Sequence, residues 1–361
     1  MKKILYASAF CATLFAAYSC GGNSEKAETA EPTPDAVAWT DTMYYEEGYL
    51  GKEDNKKFVD VQGYAADGKL AVVDQYQLKG DKCEKVAQTI YKDGKPVYSK
   101  DLEGDKTAGT DVFTYDANGN VTEEVQSVWN NERQKIEPAV KYVYSYDANG
   151  NLTEIKESTY ANLRWNPGYE WTYTYDEQGR VADRKDYTSA TGDRRQSCWY
   201  NYKWNDQNRL GQLDYYFYDV KKGKLKHDAK MIYTYNEAGQ VTEELVVRHK
   251  NSTKREDMPS RKYIKEYNDK GQITAEATQR FRQGNWNPEN NKSYTYDEQG
   301  RLTEAQFISA IQTNKGLRMN RTNYSYPADS KTPAAAAAPG IGTKPVVNLQ
   351  DKHLTVADDE D

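Results

Sequence analysis

Histidine is scarce in this chain, and the familiar catalytic signatures are missing. The 361 residues include three histidines, His227, His249 and His353, and no two of them have the spacing of a paired metal site. The sequence has no nucleophile elbow G-x-S-x-G, no H-E-x-x-H, no P-loop and no G-x-G-x-x-G. Asp and Glu number 55, so no particular carboxylate pair can be singled out. We therefore expect no metal, no cofactor and no enzymatic activity, with a glycan-active hydrolase as the alternative.

Cysteine is also rare, and an excess of basic charge is absent. Of the four cysteines, Cys83 and Cys198 lie in the body of the chain, in different units, and a disulfide between them remains open. The net charge is −6, and it becomes −8 if a signal that carries Lys2 and Lys3 is removed. This balance argues against a nucleic-acid partner.

Long apolar runs are absent after residue 17. The stretch from Ile4 to Ala17 is too short to cross a membrane as a helix and fits a secretory signal. A small residue before Cys20 and two glycines after it resemble a lipoprotein signal, in which Cys20 becomes the lipidated N-terminus. Ordinary cleavage at another position is the alternative.

What the chain does contain is a phrase that occurs seven times: an aromatic residue, then Asp or Asn, two further residues, and usually Gly. Successive copies lie 31, 29, 29, 31, 32 and 29 residues apart, which indicates a repeat architecture. The phrase suits a type I turn that ends in a residue with positive φ, followed by a bulge. The turn positions that need positive φ are Gly119, Gly150, Gly179, Asn208, Gly239, Gly271 and Gly300.

This turn predicts which residues face each other across each hairpin. The aromatic residue should pair with the second residue after the Gly position, which is aliphatic in every copy. The predicted pairs are Tyr115–Val121, Tyr146–Leu152, Tyr175–Val181, Trp204–Leu210, Tyr235–Val241, Tyr267–Ile273 and Tyr296–Leu302. Such pairs nominate one buried face.

A second turn is predicted about halfway through each period. The candidates are Asn166-Pro167-Gly168, Thr191-Gly192-Asp193, Lys222-Gly223-Lys224, Asn287-Pro288 and Asn314-Lys315-Gly316. The predicted fold is therefore all-β, an antiparallel up-and-down meander of hairpins. With sixteen to eighteen strands, such a sheet should curl strongly or close into a barrel. Charges at both strand parities argue against an outer-membrane barrel.

The phrase also carries a family resemblance. The segments that begin at Phe113, Tyr173 and Tyr294 resemble the YD repeat of RHS-type proteins, which are extracytoplasmic β-rich repeats. The period here is longer than is usual in that family, and the chain is more similar to small secreted bacterial lipoproteins with a few YD-like units. The resemblance implies a fold and a location outside the cytoplasm, and no catalytic residues.

The chain divides by composition into five parts. We expect a signal peptide at 1–19, a disordered tether at 20–38, irregular N-terminal strands at 39–104, the hairpin repeats at 105–327 and a disordered tail at 328–361. The expected location is the outer membrane of a Gram-negative bacterium, with a lipid anchor on the periplasmic side or at the cell surface.

Aromatic residues are the one feature with the character of a ligand site. The sequence has 31 tyrosines, and Trp129, Trp165 and Trp286 fall at matching places in three units. With Asn and Arg nearby, they could stack on sugar rings, or they could simply cover the end of the sheet. We expect a non-enzymatic binding or scaffolding body whose partner is a glycan or another cell-envelope component.

Overall fold

The computed structural model describes residues 31–52, 55–80, 82–189, 193–249 and 257–326. In these ranges the chain forms twenty strands and no helix that could cross a membrane. The strands are β1 Trp39–Tyr49, β2 Lys56–Tyr64, β3 Leu70–Lys79, β4 Lys82–Lys92, β5 Lys95–Glu103, β6 Lys106–Tyr115, β7 Val121–Asn130, β8 Lys135–Tyr146, β9 Leu152–Ala161, β10 Arg164–Tyr175, β11 Val181–Thr188, β12 Arg195–Trp204, β13 Leu210–Asp219, β14 Lys224–Tyr235, β15 Val241–His249, β16 Asp257–Tyr267, β17 Ile273–Arg282, β18 Asn285–Tyr296, β19 Leu302–Thr313 and β20 Gly316–Ser325.

The strands form one closed antiparallel barrel. Each strand pairs with its neighbours in sequence, and β1 also pairs with β20, from Thr42 opposite Ser325 to Tyr49 opposite Arg318. The predicted up-and-down meander is confirmed, and the curled sheet closes fully. The strand count exceeds our estimate because the irregular N-terminal part supplies five complete strands, β1–β5, to the ring.

The repeated phrase forms the predicted turn. In the first copy Gly119 N–H donates to the Asp116 carbonyl at 3.0 Å, and the Asp116 side chain accepts from the backbone of Asn118 and Asn120. All seven glycine-position residues have positive φ, including Asn208 at 60°. The seven predicted aromatic–aliphatic pairs are all present in the register.

A bulge next to each turn reverses the alternation of the strand that follows. Tyr115 pairs with Val121, yet the next pair on that face is Phe113 with Glu124, three residues further on. A charged residue, Glu124, therefore lies on the aromatic face, where only 2% of its surface is exposed. The bulge explains why charge occurs at both parities of the sequence.

Each unit is joined to the one before it by its anchor aromatic, the first residue of the phrase. The hydroxyl of Tyr146 donates to the backbone carbonyl of Val121 at 2.9 Å, and Tyr235 donates to Leu210 at 2.7 Å. The same bond recurs from Tyr175, Trp204, Tyr267 and Tyr296, and from an eighth anchor, Tyr326, to Leu302. One repeated contact therefore fixes the offset between neighbouring hairpins.

The residue after the Gly position matches the type of turn. Where the turn begins with Asp, it is a donor, as when Arg180 Nε donates to Asp176 Oδ2 at 2.7 Å. In two of the three turns that begin with Asn, it is Gln, as when Asn236 Nδ2 donates to Gln240 Oε1 at 3.0 Å, and in the third, at Asn205, it is Arg209. Gln240 Nε2 then donates to the carbonyl of Gly271 in the next unit at 2.7 Å. These bonds form a second link between hairpins.

Two predicted second turns are wrong. Asn166-Pro167-Gly168 and Asn287-Pro288 lie inside β10 and β18, and the chain turns earlier, at 162–163 and 283–284. Both prolines lie at register shifts, where a strand tolerates a residue without an N–H donor. The turns at Lys222-Gly223-Lys224 and Asn314-Lys315-Gly316 are present.

The N-terminal segment before β1 lies against the barrel. Ala38 N–H donates to the Tyr64 carbonyl at 2.7 Å. Asp35 pairs with Lys92 and Glu31 with Lys100, at 2.5 and 2.7 Å, so residues 31–38 cross the outside of β4 and β5. Cys20, the signal, the first part of the tether, the tail and the 191–192 turn lie outside the described residues. Cys83 and Cys198 are free thiols on separate strands.

Changing Gly150→Val should destabilise the barrel by about 1–3 kcal/mol, because it forces a β-branched residue to positive φ. No atom lies within 4 Å of a Cβ added at Gly150, so the cost comes from the backbone alone. Ala148→Val in the same turn is the matched control. Urea unfolding measures both variants, and equal losses would contradict the turn assignment.

Candidate functional site

The barrel encloses a cavity of about 590 Å³ on its inner side. Side chains from β12 to β19 line it, so the site spans eight consecutive strands. The face that bears the anchor aromatics supplies this lining, because the register places Tyr202, Leu213 and Met231 on the same side as Trp204 and Tyr235. The predicted buried face is therefore the inner face of the barrel.

Tyrosine rings dominate the aromatic part of the lining: Tyr200, Tyr202, Tyr215, Tyr233 and Tyr263. Tyr200 and Tyr215 pack against each other with ring centroids 5.0 Å apart. Desolvation inside the barrel raises the pKa of Tyr202 to about 12. The Tyr202 phenol therefore stays neutral, and all five side chains offer apolar ring faces and hydroxyls for hydrogen bonds.

Charged side chains share the cavity wall with the tyrosines and are largely paired. Lys265 Nζ lies 2.6 Å from Glu244, and Lys292 lies 3.2 Å from Glu276. Tyr294 also donates to Glu276 at 2.5 Å. Burial opposes ionisation of Glu276, but this hydrogen bond and the Lys292 ammonium outweigh it and lower its pKa. The pairs keep the charged groups fixed in the wall.

A cluster of three charged side chains adds a cationic edge to the cavity. Glu289 lies between Arg261 and Arg280, at 2.9 and 2.7 Å. Burial disfavours the Arg261 guanidinium, yet the hydrogen bond and charge of Glu289 dominate and raise its pKa. Arg248 lines the same space. Basic side chains therefore outnumber carboxylates around the cavity, and the arrangement suits a neutral or acidic ligand with apolar ring faces.

The three predicted tryptophans lie elsewhere. Trp129, Trp165 and Trp286 are half-buried near one end of the barrel, as expected, but on its outer face and in separate units. Trp165 packs edge-on against Tyr160 at 5.1 Å, and the Lys141 ammonium lies 5.0 Å from its ring centre. Trp286 repeats this arrangement with Phe281 and Lys262. A cation therefore lies over each of these two rings, where a sugar would stack.

The histidines form no metal centre within the described ranges. The rings of His227 and His249 lie tilted against each other on the outer face with centroids 5.6 Å apart, and each contacts an aspartate, at 3.2 Å for Asp214 and 2.8 Å for Asp257. No group of three or more His, Cys, Asp or Glu in the described part of the chain is arranged to hold a metal ion. His353 lies outside the described residues.

Sequence reasoning missed the cavity residues. Glu244, Lys265 and Glu276 look like solvated strand residues, and only the bulge after each turn moves Glu244 and Glu276 to the inner face. The sequence did contain a signal for these residues. Once the bulge is counted in the register, Glu244 is opposite Tyr233 and Glu276 is opposite Lys265.

Comparisons with known proteins give only remote likenesses. No protein-family model and no curated protein matches the chain. A porin-like protein from Bacteroides uniformis ATCC 8492 aligns with 80% of this chain and 98% of its own, at 10% identity and a TM-score of 0.32. A protein of unknown function from Bacteroides fragilis NCTC 9343 covers 35% and 91%, at 18% identity and 0.30. A DUF3836 family protein from Bacteroides vulgatus ATCC 8482 covers 25% and 89%, at 19% and 0.21. With TM-scores below 0.5, these likenesses carry no argument about activity or ligand.

Changing Trp165 and Trp286 together to Ala should lower the stability of the barrel and leave glycan or peptidoglycan pull-down unchanged. Each loss should fall below the roughly 3–5 kcal/mol of a fully buried aromatic, because both rings are half-buried. Tyr175→Ala is the control, since Tyr175 donates to the Leu152 carbonyl at 2.6 Å and is structural on either view. Unchanged unfolding together with lost pull-down would make these tryptophans a ligand platform.

Proposed function

We propose that this protein is a lipid-anchored, non-enzymatic binding barrel of the bacterial cell envelope, and that its inner cavity holds a glycan. The observation that carries the proposal is the cavity wall of tyrosine rings alternating with paired charges. Aromatic faces stack on the apolar faces of sugar rings, and the neighbouring phenols and charged groups bond to hydroxyls. The excess of Arg and Lys favours a glycan that carries carboxylates.

The charges on the outer face support the proposal that the barrel is surrounded by water. Ion pairs lie on this face, including Lys156 with Glu154 at 2.7 Å within β9, and Lys230 in the middle of β14 with Asp257 at the start of β16 at 2.6 Å. Asp214 also pairs with Lys203 there. Such groups would be costly against lipid tails. We therefore propose that the membrane is reached through an acyl chain on Cys20, in line with the YD-repeat lipoproteins that the sequence resembles.

The soluble chain from Gly21 onward should bind acidic oligosaccharides on a glycan array without releasing reducing sugar. Tyr263→Ala should weaken this binding by about tenfold or more, because it removes a ring from the cavity wall. Tyr216→Ala is the matched control, since Tyr216 stacks on Trp199 on the outer face. Loss of binding in both variants, or in neither, would contradict the cavity assignment. Release of reducing sugar would favour the hydrolase.

Changing Cys20→Ala should leave the precursor unprocessed by lipoprotein signal peptidase and free of acyl chains. In cells, labelled palmitate incorporation and partition into detergent measure whether the variant carries acyl chains. A variant that still takes up palmitate would show that Cys20 is not the lipidation site.

A further inference from the structure

The two ends of the barrel differ in charge. The turn rim consists of nine connections, namely the seven that contain the repeated phrase together with β2–β3 and β4–β5, and the basic rim consists of the ten connections at the opposite end. Counting the described loop residues and one strand residue on each side, the turn rim has 7 basic and 11 acidic residues. Counted in the same way, the basic rim has 15 basic and 6 acidic residues, and all fifteen basic ones are exposed. The described residues of the turn rim therefore carry a net charge of −4 (7 − 11), and those of the basic rim carry +9 (15 − 6), within an acidic protein.

Exposed aliphatic side chains are concentrated at the basic rim. Leu163 and Val220 stand at loop tips with 67% and 73% of their surface exposed, and Leu50 has 44% exposed in a third loop. Ile311, 58% exposed, lies beside a fourth. Among the described residues, no connection of the turn rim has a large exposed aliphatic side chain, and Val37, 45% exposed, lies near that end just before β1. Aliphatic tips among lysines and arginines are typical of surfaces that enter the polar boundary of an anionic bilayer.

The geometry of the rim favours an extended flat partner. Three of the aliphatic positions lie in the β1–β2, β9–β10 and β13–β14 connections, and Ile311 lies in β19 beside the β19–β20 connection, so they are distributed around the ring. A small ligand or a single polymer strand could touch one or two of them at once. A planar surface could meet all of them together, along with the basic side chains between them.

The path of the N-terminal segment also favours a membrane at the basic rim. β5 runs from Lys95 at the turn rim to Glu103 at the basic rim, and Glu31 pairs with Lys100, closer to the basic end. Followed backwards from Trp39 at the turn rim, the segment therefore runs along the outside of the barrel towards the basic rim. The eleven residues from Cys20 to Ala30 can span at most roughly 40 Å. If Cys20 is lipidated, as proposed above, the anchor can reach the same membrane that the basic rim would face.

We propose that the basic rim docks on an anionic lipid surface, with Leu163 and Val220 entering the headgroup boundary and the surrounding Lys and Arg side chains contacting lipid phosphates. The barrel then stands upright on the membrane, with the turn rim pointing away from it. The contact does not require lipidation, so it can be tested without the acyl chain.

The test uses the unlipidated chain from Gly21 to Asp361, which contains all twenty strands, and vesicles of phosphatidylcholine with or without phosphatidylglycerol. Co-sedimentation should show binding to the anionic vesicles alone, and binding should fall as sodium chloride rises from about 0.05 to 0.5 M. The double change Leu163→Asp and Val220→Asp should weaken binding by about tenfold or more. Leu163 already has a φ of 61°, which Asp accepts more readily than Leu, so the fold should survive.

Two further variants separate charge from apolar contact. Changing Lys221, Lys222 and Lys224 to Glu should also weaken binding by about tenfold, because it reverses charge beside Val220. Tyr44→Asp is the control, since Tyr44 is 46% exposed but halfway along β1, away from both rims. Absence of vesicle binding, or equal loss in the Tyr44 control, would overturn the proposal. Equal affinity for a soluble polyanion such as dextran sulfate, unaffected by the aliphatic changes, would also overturn it in favour of an anionic polymer.

Discussion

The fold depends on one repeated contact, the hydrogen bond from each anchor aromatic to a backbone carbonyl of the preceding hairpin. An antiparallel sheet with polar groups on both faces has weak register preferences, because a slip by one residue exchanges charged faces that differ little. The bond from Tyr235 to Leu210, and its equivalents from Tyr146 to Tyr326, fix the offset of each repeat hairpin from β8–β9 onward relative to the one before it.

The bulge that accompanies this contact determines what the barrel can hold. It moves carboxylates such as Glu124 and Glu244 onto the same face as the tyrosines. The inner surface becomes a mixed aromatic and ionic wall, and the outer surface keeps ion pairs of its own. The difference between the two rims follows from the sequence of the connections: the turn rim repeats Asp and Asn because the turn requires them, whereas the opposite loops are free to accumulate Lys and Arg.

The sequence was sufficient for whatever depends on local turn chemistry. Asp or Asn followed by Gly specifies the turn, so all seven cross-strand pairs could be predicted. The second turns were harder, because Pro167 and Pro288 resemble turn residues but occupy bulges inside strands. The cavity could not be predicted, and the sequence left open whether the curled sheet closes into a barrel. Closure depends on β1 meeting β20, a contact between the two ends of the ring that no local pattern encodes. The predicted tryptophans occupy matching positions in the sequence because their loops are equivalent, but they lie in separate units and do not form one site.

The most direct test of this account is the free energy of unfolding of Tyr267→Phe, compared with Tyr216→Phe. Tyr267 donates to the Val241 carbonyl at 2.6 Å, whereas the ring of Tyr216 stacks on Trp199 on the outer face. Removing the Tyr267 hydroxyl should cost about 1–3 kcal/mol, because the carbonyl loses its partner in a partly buried site. Amide hydrogen exchange should also become faster in β15 and β16. Equal stability of the two variants, with unchanged exchange, would show that the anchor bond does not hold the hairpins together.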